Sequence, residues 1–367
     1  MRKQYIDNLR WMIILLLIPY HAAMAWNIWG EPNYIIFGSN NMISSIVVFF
    51  SPYFMPALFL ISGMCARFSL HKRTAKQYVS ERFKKLFIPF VFGVLLIMPL
   101  MTYIADKFNY GYDGSFLHHY LIFFTKFTDF TGADGGFSVG QFWFVLYLFV
   151  ISVIAVKIIT LLKKISLNVK KDIPLWLVCL LGLPLLFLSE LLSIGGKSLA
   201  EYTYIFLVGY YVFSNDNVIN KTGKYKFIFL CVGLTATVLN VYMFIWAGAQ
   251  YQLLNTVVKF VSEWFMILAL IGIGKSYLDF SGKASRYMSQ RSFAFYILHF
   301  IWVVLFQYLM FDICGDNAVL LYVVPIVLAY CTTFLSCEIC VRIPFVCLLM
   351  GTKPVNKKFK SNLSDGQ

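Results

Sequence analysis

The chain has 367 residues, of which 60% are hydrophobic, 19% aromatic and only 13% charged, with a mean hydropathy of +0.73. A soluble domain carries roughly a quarter charged residues, so the composition excludes a water-soluble globular protein. The net charge of +14 is spread over short loops between apolar runs, which points to anionic lipid headgroups or an anionic small ligand and not to nucleic acid.

Apolar runs of roughly 20 residues, the length that crosses a bilayer core, recur from end to end. In chain order they predict spans at 9–29, 46–66, 86–105, 141–162, 174–194, 200–213, 226–247, 254–274, 292–311 and 318–341. The expected fold is an all-α integral membrane bundle of about ten transmembrane helices. It fills residues 1–352 and leaves a basic, polar tail at 353–367.

The first span opens Asp7-Asn8-Leu9-Arg10 and reaches His21 deep in the apolar run. Eleven steps of about 100° overshoot three turns by about 20°, so on a straight helix Arg10 and His21 share one face, about 16 Å apart along the axis. One reading is a snorkelling arginine plus a packed histidine; the other is a cation at the inner surface aligned with a titratable base in the membrane. Arg2, Lys3 and Ala23-Met24-Ala25 have the look of a signal peptide and its cleavage site. Arg10 and His21 bracket the apolar run, however, and nine more spans follow, which favours a retained span. Trp26, Trp29 and Tyr34 read as an interfacial aromatic belt.

In the second span, Pro52 and Pro56 predict a kink or break, tolerated in lipid where protein groups satisfy the freed backbone. The loop that follows holds Arg67, Lys72, Arg73, Lys76, Arg82, Lys84 and Lys85. Every second loop after it is also basic: Lys163 to Lys171, Lys221 and Lys224, Lys275 to Arg291, and Arg342 to Lys360. The intervening loops hold only Lys107, Lys126 and Lys197. Positive loops stay inside, so both termini are expected in the cytoplasm.

Charged and polar groups inside a span are functional candidates by default. Glu263 lies midway along the eighth span with Lys259 one turn away, a spacing that suggests a neutralising i, i+4 pair. Glu338 and Arg342 form a similar pair, and His299 lies low in the ninth span. His118-His119 beside Asp113 and Cys337-x-x-Cys340 are weak metal signals. No metal or permanently bound cofactor is expected. Most cysteines fall in or beside spans, where they act as small apolar residues.

Several of these residues together resemble membrane-bound acyltransferase family 3. Its Arg-x10-His hallmark reads here Arg10-WMIILLLIPY-His21. Tyr5-Ile-Asp-Asn-Leu-Arg10, Pro56-Ala-Leu-Phe-Leu-Ile-Ser-Gly63, Arg82-Phe-Lys-Lys-Leu-Phe-Ile-Pro89, Gln141-Phe-Trp-Phe-Val-Leu-Tyr147 and Tyr296-Ile-Leu-His299 match further stretches in order. The nearest flavour is the stand-alone, glucan biosynthesis protein C-like branch. One departure is Lys85, where the family commonly has a second arginine; lysine keeps the charge but loses the bidentate fork.

The resemblance implies O-acyl transfer from cytosolic acyl-CoA, as donor substrate, to a glycan or lipid-linked glycan at the cytoplasmic membrane. Arg10, Arg67, Arg73, Arg82 and Lys85 would then meet the anionic end of CoA. His21, with Arg10, would carry the chemistry as general base or, less simply, as acyl carrier. Glu263, Lys259, Trp143, Tyr296 and His299 become acceptor or supporting residues. Acetyl and succinyl groups fit equally. The alternative from another class is a glycan exporter with His21, Glu263 and Lys259 along a path, although no inverted repeat stands out in the two halves.

Overall fold

The computed structural model describes residues 3–164, 173–248, 252–315, 317–352 and 354. The described chain is helical nearly throughout, as lipid demands of a backbone that must satisfy its own hydrogen bonds. Its helices are α1 (Gln4–Trp26), α2 (Asn41–Lys72), α3 (Ala75–Tyr110), α4 (Phe116–Thr125), α5 (Gly140–Leu162) and α6 (Leu175–Leu188). Then come α7 (Leu199–Tyr211), α8 (Asp216–Lys224), α9 (Lys226–Trp246), α10 (Leu253–Tyr277), α11 (Lys283–Cys314), α12 (Ala318–Cys340) and α13 (Pro344–Leu349). Among the described residues the only strands are β1 (Ser193–Ile194) and β2 (Lys197–Ser198), an antiparallel hairpin between α6 and α7.

Eight helices are long and apolar enough to cross a membrane: α1, α2, α3, α5, α9, α10, α11 and α12. The predicted fifth and sixth spans fall on α6 and α7, which are shorter. Turns at 181–184, ending in Pro184, interrupt α6. Lys221 Nζ donates to the Ile173 carbonyl before α6, and Arg67 reaches the Tyr210 hydroxyl at the far end of α7. The predicted tail at 353–367 lies outside the described residues apart from Pro354.

Loops of one predicted side gather at one end. Lys3 pairs with Asp216, and Tyr5 N–H donates to Asp279 at 3.3 Å. Asn8 is the centre of this end. Its amide donates to the Leu278 and Phe280 carbonyls at 2.7 and 2.9 Å, and its carbonyl accepts from Trp11 and Ser285. The opening Tyr5-x-x-Asn8 stretch thus ties α1 to the α10–α11 connection. At the opposite end the Asn109 amide reaches the carbonyls of Asn33, Tyr34 and Ala133.

Between the ends, helices meet closely where residues are small. A Cβ at Gly63 would lie 1.9 Å from the Phe206 carbonyl oxygen, and one at Gly209 2.2 Å from that of Leu60. The backbones of α2 and α7 therefore touch, the close approach that small residues allow in lipid. Thr237 and Ser262 hydroxyls bond at 2.6 Å across α9 and α10. As expected, α2 breaks at its prolines: turns at 51–53 separate Asn41–Phe50 from Phe54–Lys72.

Trp26 and Tyr34 do not form an interfacial belt. Both are buried, because the 27–40 segment folds back on the bundle and sets Trp26 against Phe37 and Tyr34 against Phe300. Trp29 stays half-buried against Phe244.

Candidate active site

Proline shapes the helix that carries His21. Pro19 has no N–H to give the Leu15 carbonyl, and α1 is interrupted at Leu16. An orphan carbonyl in lipid costs several kcal/mol, and here the Tyr330 hydroxyl of α12 supplies the missing donor at 2.7 Å. Tyr322 donates to the Pro19 carbonyl at 3.2 Å, and the Gln307 amide of α11 donates to that of Ala22 at 2.9 Å. Three side chains from α11 and α12 thus fix the backbone on either side of His21.

The histidine ring is held as firmly. It stacks on Phe300 at 3.9 Å between centroids, meets Tyr20 edge-on at 5.3 Å and faces His299 at 5.3 Å. Tyr20 in turn packs on Phe54 of α2 at 4.8 Å. His21 and Tyr20 are half-buried, whereas His299 is fully buried.

His299 Nδ1 lies 2.7 Å from the Tyr296 carbonyl. A carbonyl can only accept, so Nδ1 carries the proton and Nε2 presents a lone pair. That Nε2 is buried without a partner. Tyr296 is anchored by its own hydroxyl on the Gln141 carbonyl at the start of α5, so the Tyr-x-Leu-His stretch is braced across two helices.

α1 is interrupted between Arg10 and His21, at Leu16. Arg10 turns to α2, with Asp7 and Cys65 Sγ each at 3.2 Å, while His21 turns to α11. Arg67 lies over the Tyr210 ring at 5.1 Å. Arg73 and Lys85 share Glu81, at 2.9 and 2.6 Å. Arg82 sits over Tyr78 at 4.7 Å, and its Nε has no partner. The Arg82-Phe-Lys-Lys run lies at a π-helical turn, Phe83–Phe87, with Gly351 of the C-terminal segment packed on Lys85 and Pro89. A π-turn widens the helix by one residue, a distortion common at functional sites.

The Glu263–Lys259 pair is corrected. Glu263 is buried beside Glu201 of α7, while Lys259 is exposed over Phe260 and acts on both carboxyls without coming within ion-pair distance of Glu263. The helix-spacing rule sees only one helix; the true partner comes from another. Glu338 keeps its expected Arg342 at 3.3 Å and adds Arg291 at 2.9 Å.

His119 pairs with Asp106 at 3.4 Å and not with Asp113. Burial lowers its pKa below the ordinary histidine value, against the pull of Asp106. Among the described residues no three His, Cys, Asp or Glu side chains cluster as a metal ion requires.

Two surface hollows lie away from His21. One, of about 660 Å³, is lined by apolar residues of α2 and α9 such as Phe49 and Trp246. The other is an open face of α3 between Lys76 and Lys85. Neither is lined by the histidines, so the packed His21–His299 contact, and neither hollow, marks the candidate site.

Sequence reasoning missed Gln307, Tyr322, Tyr330, Phe300 and Glu201. Pro19 was a signal for Tyr330, since it announces a Leu15 carbonyl in need of a donor. Glu201 carried none, because its partner is remote in sequence.

A family model described as an acyltransferase domain matches residues 3–342. No curated protein matches, and no solved structure does. With nearly the whole chain covered, the protein belongs to acyltransferase family 3, a family of multi-pass membrane proteins that transfer acyl groups.

Proposed function

We propose that the protein moves an acetyl or succinyl group from cytosolic acyl-CoA to a hydroxyl of a cell-envelope or exported glycan. It would do so through a ten-span bundle in the cytoplasmic membrane, with the N-terminal end facing the cytosol. The observation that carries the reading is a half-buried His21, pinned by α11 and α12 and facing a second histidine. The alternating basic loops support the orientation.

In this mechanism the phosphates of the donor meet Arg10, Arg67 and Arg82 at the basic end. Arg73 and Lys85 join by exchanging Glu81 for phosphate. The pantetheine arm extends between helices toward His21. The neutral His21 ring takes the proton of the acceptor hydroxyl, and the oxygen attacks the thioester carbonyl. The C–S bond breaks, the ester forms, and the CoA sulfur leaves with the proton that His21 returns. His299, its ring 5.3 Å from that of His21 and its Nε2 without a partner, would orient the base, the role a third group plays beside many catalytic histidines.

The test is mass spectrometry of surface and secreted glycans from a deletion strain carrying wild-type or His21→Gln protein. An amide hydrogen-bonds but does not take a proton at neutral pH, so acylation should disappear with His21→Gln at equal protein level. Acylation at the wild-type level in that variant sinks the reading.

A further inference from the structure

The β1–β2 hairpin brings one lysine back toward the candidate site. Gly195 and Gly196 take φ values of +56° and +71°, the tight turn that glycine allows. Tyr147 donates to the Lys197 carbonyl at 2.9 Å, and Ser198 Oγ donates to the Leu188 and Leu191 carbonyls at 2.6 and 2.7 Å. The backbone of Lys197 is therefore fixed. Its ammonium lies over the Trp143 ring at 5.3 Å, and its one hydrogen bond is to the Gly195 carbonyl. Among the described residues no carboxylate comes within ion-pair distance of it.

The surroundings form one mouth. Trp143, Tyr147 and Tyr202 are half-buried and pack together, Trp143 to Tyr147 at 5.4 Å and to Tyr202 at 5.7 Å, over the buried ring of Phe59. Lys197 is within electrostatic range of His21, and Tyr202 of Tyr20. Glu31 acts on both Lys197 and Tyr20 from the other side. A snorkelling lysine turns its head to water; this one folds inward. Burial lowers its pKa from the ordinary lysine value, with Glu31 opposing. A part-buried cation with no carboxylate in ion-pair distance, Glu31 acting only from farther off, has room for an anion from outside the chain.

We infer that Lys197 with Trp143, Tyr147 and Tyr202 forms the acceptor subsite, and that the acceptor bears an anionic group, phosphate or carboxylate, beside its reacting hydroxyl. The inference rests on the acyl-transfer reading. The aromatic faces accept the apolar face of a sugar ring. Lys197 holds the anion, which fixes which hydroxyl reaches His21.

The experiment uses a deletion strain carrying wild-type, His21→Gln, Lys197→Met, Lys197→Gln or Lys197→Arg full-length protein, with membrane amounts matched. Glycans are released and split on an anion exchanger, a glycan counting as retained only if it stays so after mild-base de-esterification removes the carboxylate of any succinyl ester, and ester-linked acyl groups are measured in the retained and unretained fractions. His21-dependent acyl groups should lie in the retained fraction. Lys197→Met and Lys197→Gln should lower them about tenfold or more, the loss expected for one charge-assisted contact. Lys197→Arg, which keeps the charge, should retain most of the signal. Should Lys197→Met fail to accumulate, Lys197→Gln decides, since it keeps a hydrogen-bonding end in the hairpin. Acylation confined to the unretained fraction, or Lys197→Gln at the wild-type level, overturns the inference while leaving acyl transfer standing. No acyl group dependent on His21 in either fraction defeats both together.

Discussion

The two halves of the bundle treat their polar groups in opposite ways. At the basic end every cation assigned to the donor has something to hold: Asp7 and Cys65 for Arg10, Tyr210 for Arg67, Glu81 for Arg73 and Lys85, Tyr78 for Arg82. Around His21 groups are left open: His299 Nε2 has no partner, and Lys197 has no carboxylate. Exposed cations exchange partners cheaply, since a surface ion pair contributes about 0–1 kcal/mol. An open lone pair deep in the bundle is expensive, and packing by Phe300, Gln307, Tyr322 and Tyr330 holds it in place. The basic end is built for exchange and the histidine site for rigidity.

The sharpest way to break this contrast is His21→Gln. Losing a general base typically costs about 10²–10⁴ in rate, with donor binding unchanged because no cation is touched. An assay of acyl transfer beside a donor-binding measurement checks both halves of the statement. A variant that loses binding and transfer together would merge two regions that the contrast separates.

Next comes His299→Gln. Partners that orient a functional histidine are worth about 10–100-fold at metal sites, and a drop of that order in the transfer rate is expected, with the acceptor KM little changed. A larger loss than His21→Gln gives would make His299 the base and reverse the roles.

At the basic end, Arg82→Ala should weaken acyl-CoA binding about tenfold or more, as one charge-assisted contact disappears. Lys85→Ala should cost less, because its ammonium must first leave Glu81. Raising salt should reproduce most of the Lys85→Ala effect, since exposed charges are screened within about 10 Å at 0.1 M. Equilibrium donor binding to purified protein across a salt series measures all three, and equal losses for the two residues would remove the distinction.

The smallest effects separate Glu263 from Lys259. Glu263→Leu leaves Glu201 without its buried polar neighbour and should destabilise the fold by about 1–3 kcal/mol. Glu263→Gln keeps a donor for Glu201 and should cost much less. Lys259→Ala, on an exposed surface, should stay within about 0.5 kcal/mol. Thermal unfolding in detergent ranks the three. A Lys259→Ala loss equal to that of Glu263→Leu would restore the i, i+4 ion pair.

The sequence carried the fold further than the site. Apolar runs located all eight long helices, and Pro52 and Pro56 announced the break in α2. The fifth and sixth spans were harder, because Pro184 and the nearby turns shorten α6 in a way that hydropathy alone does not register. In the site, His21 and His299 were legible as polar residues in apolar runs. Their contact was not, since α1 and α11 lie far apart in sequence. The Lys85–Glu81 tie, by contrast, follows the same i, i+4 spacing that suggested Lys259–Glu263. The spacing holds where the pair is exposed and fails where a second buried acid competes.

The close approach of α2 and α7 at Gly63 and Gly209 has a consequence for how the chain is made. The seam needs both backbones, and α7 leaves the ribosome long after α2. At about 5–20 residues per second, α2 waits on the order of ten seconds in the bilayer with its glycine face uncovered. A waiting helix is open to whatever small-residue face drifts past. Slowing translation between α2 and α7 would lengthen that wait and raise the yield of misassembled chains, without changing a single residue of the finished protein.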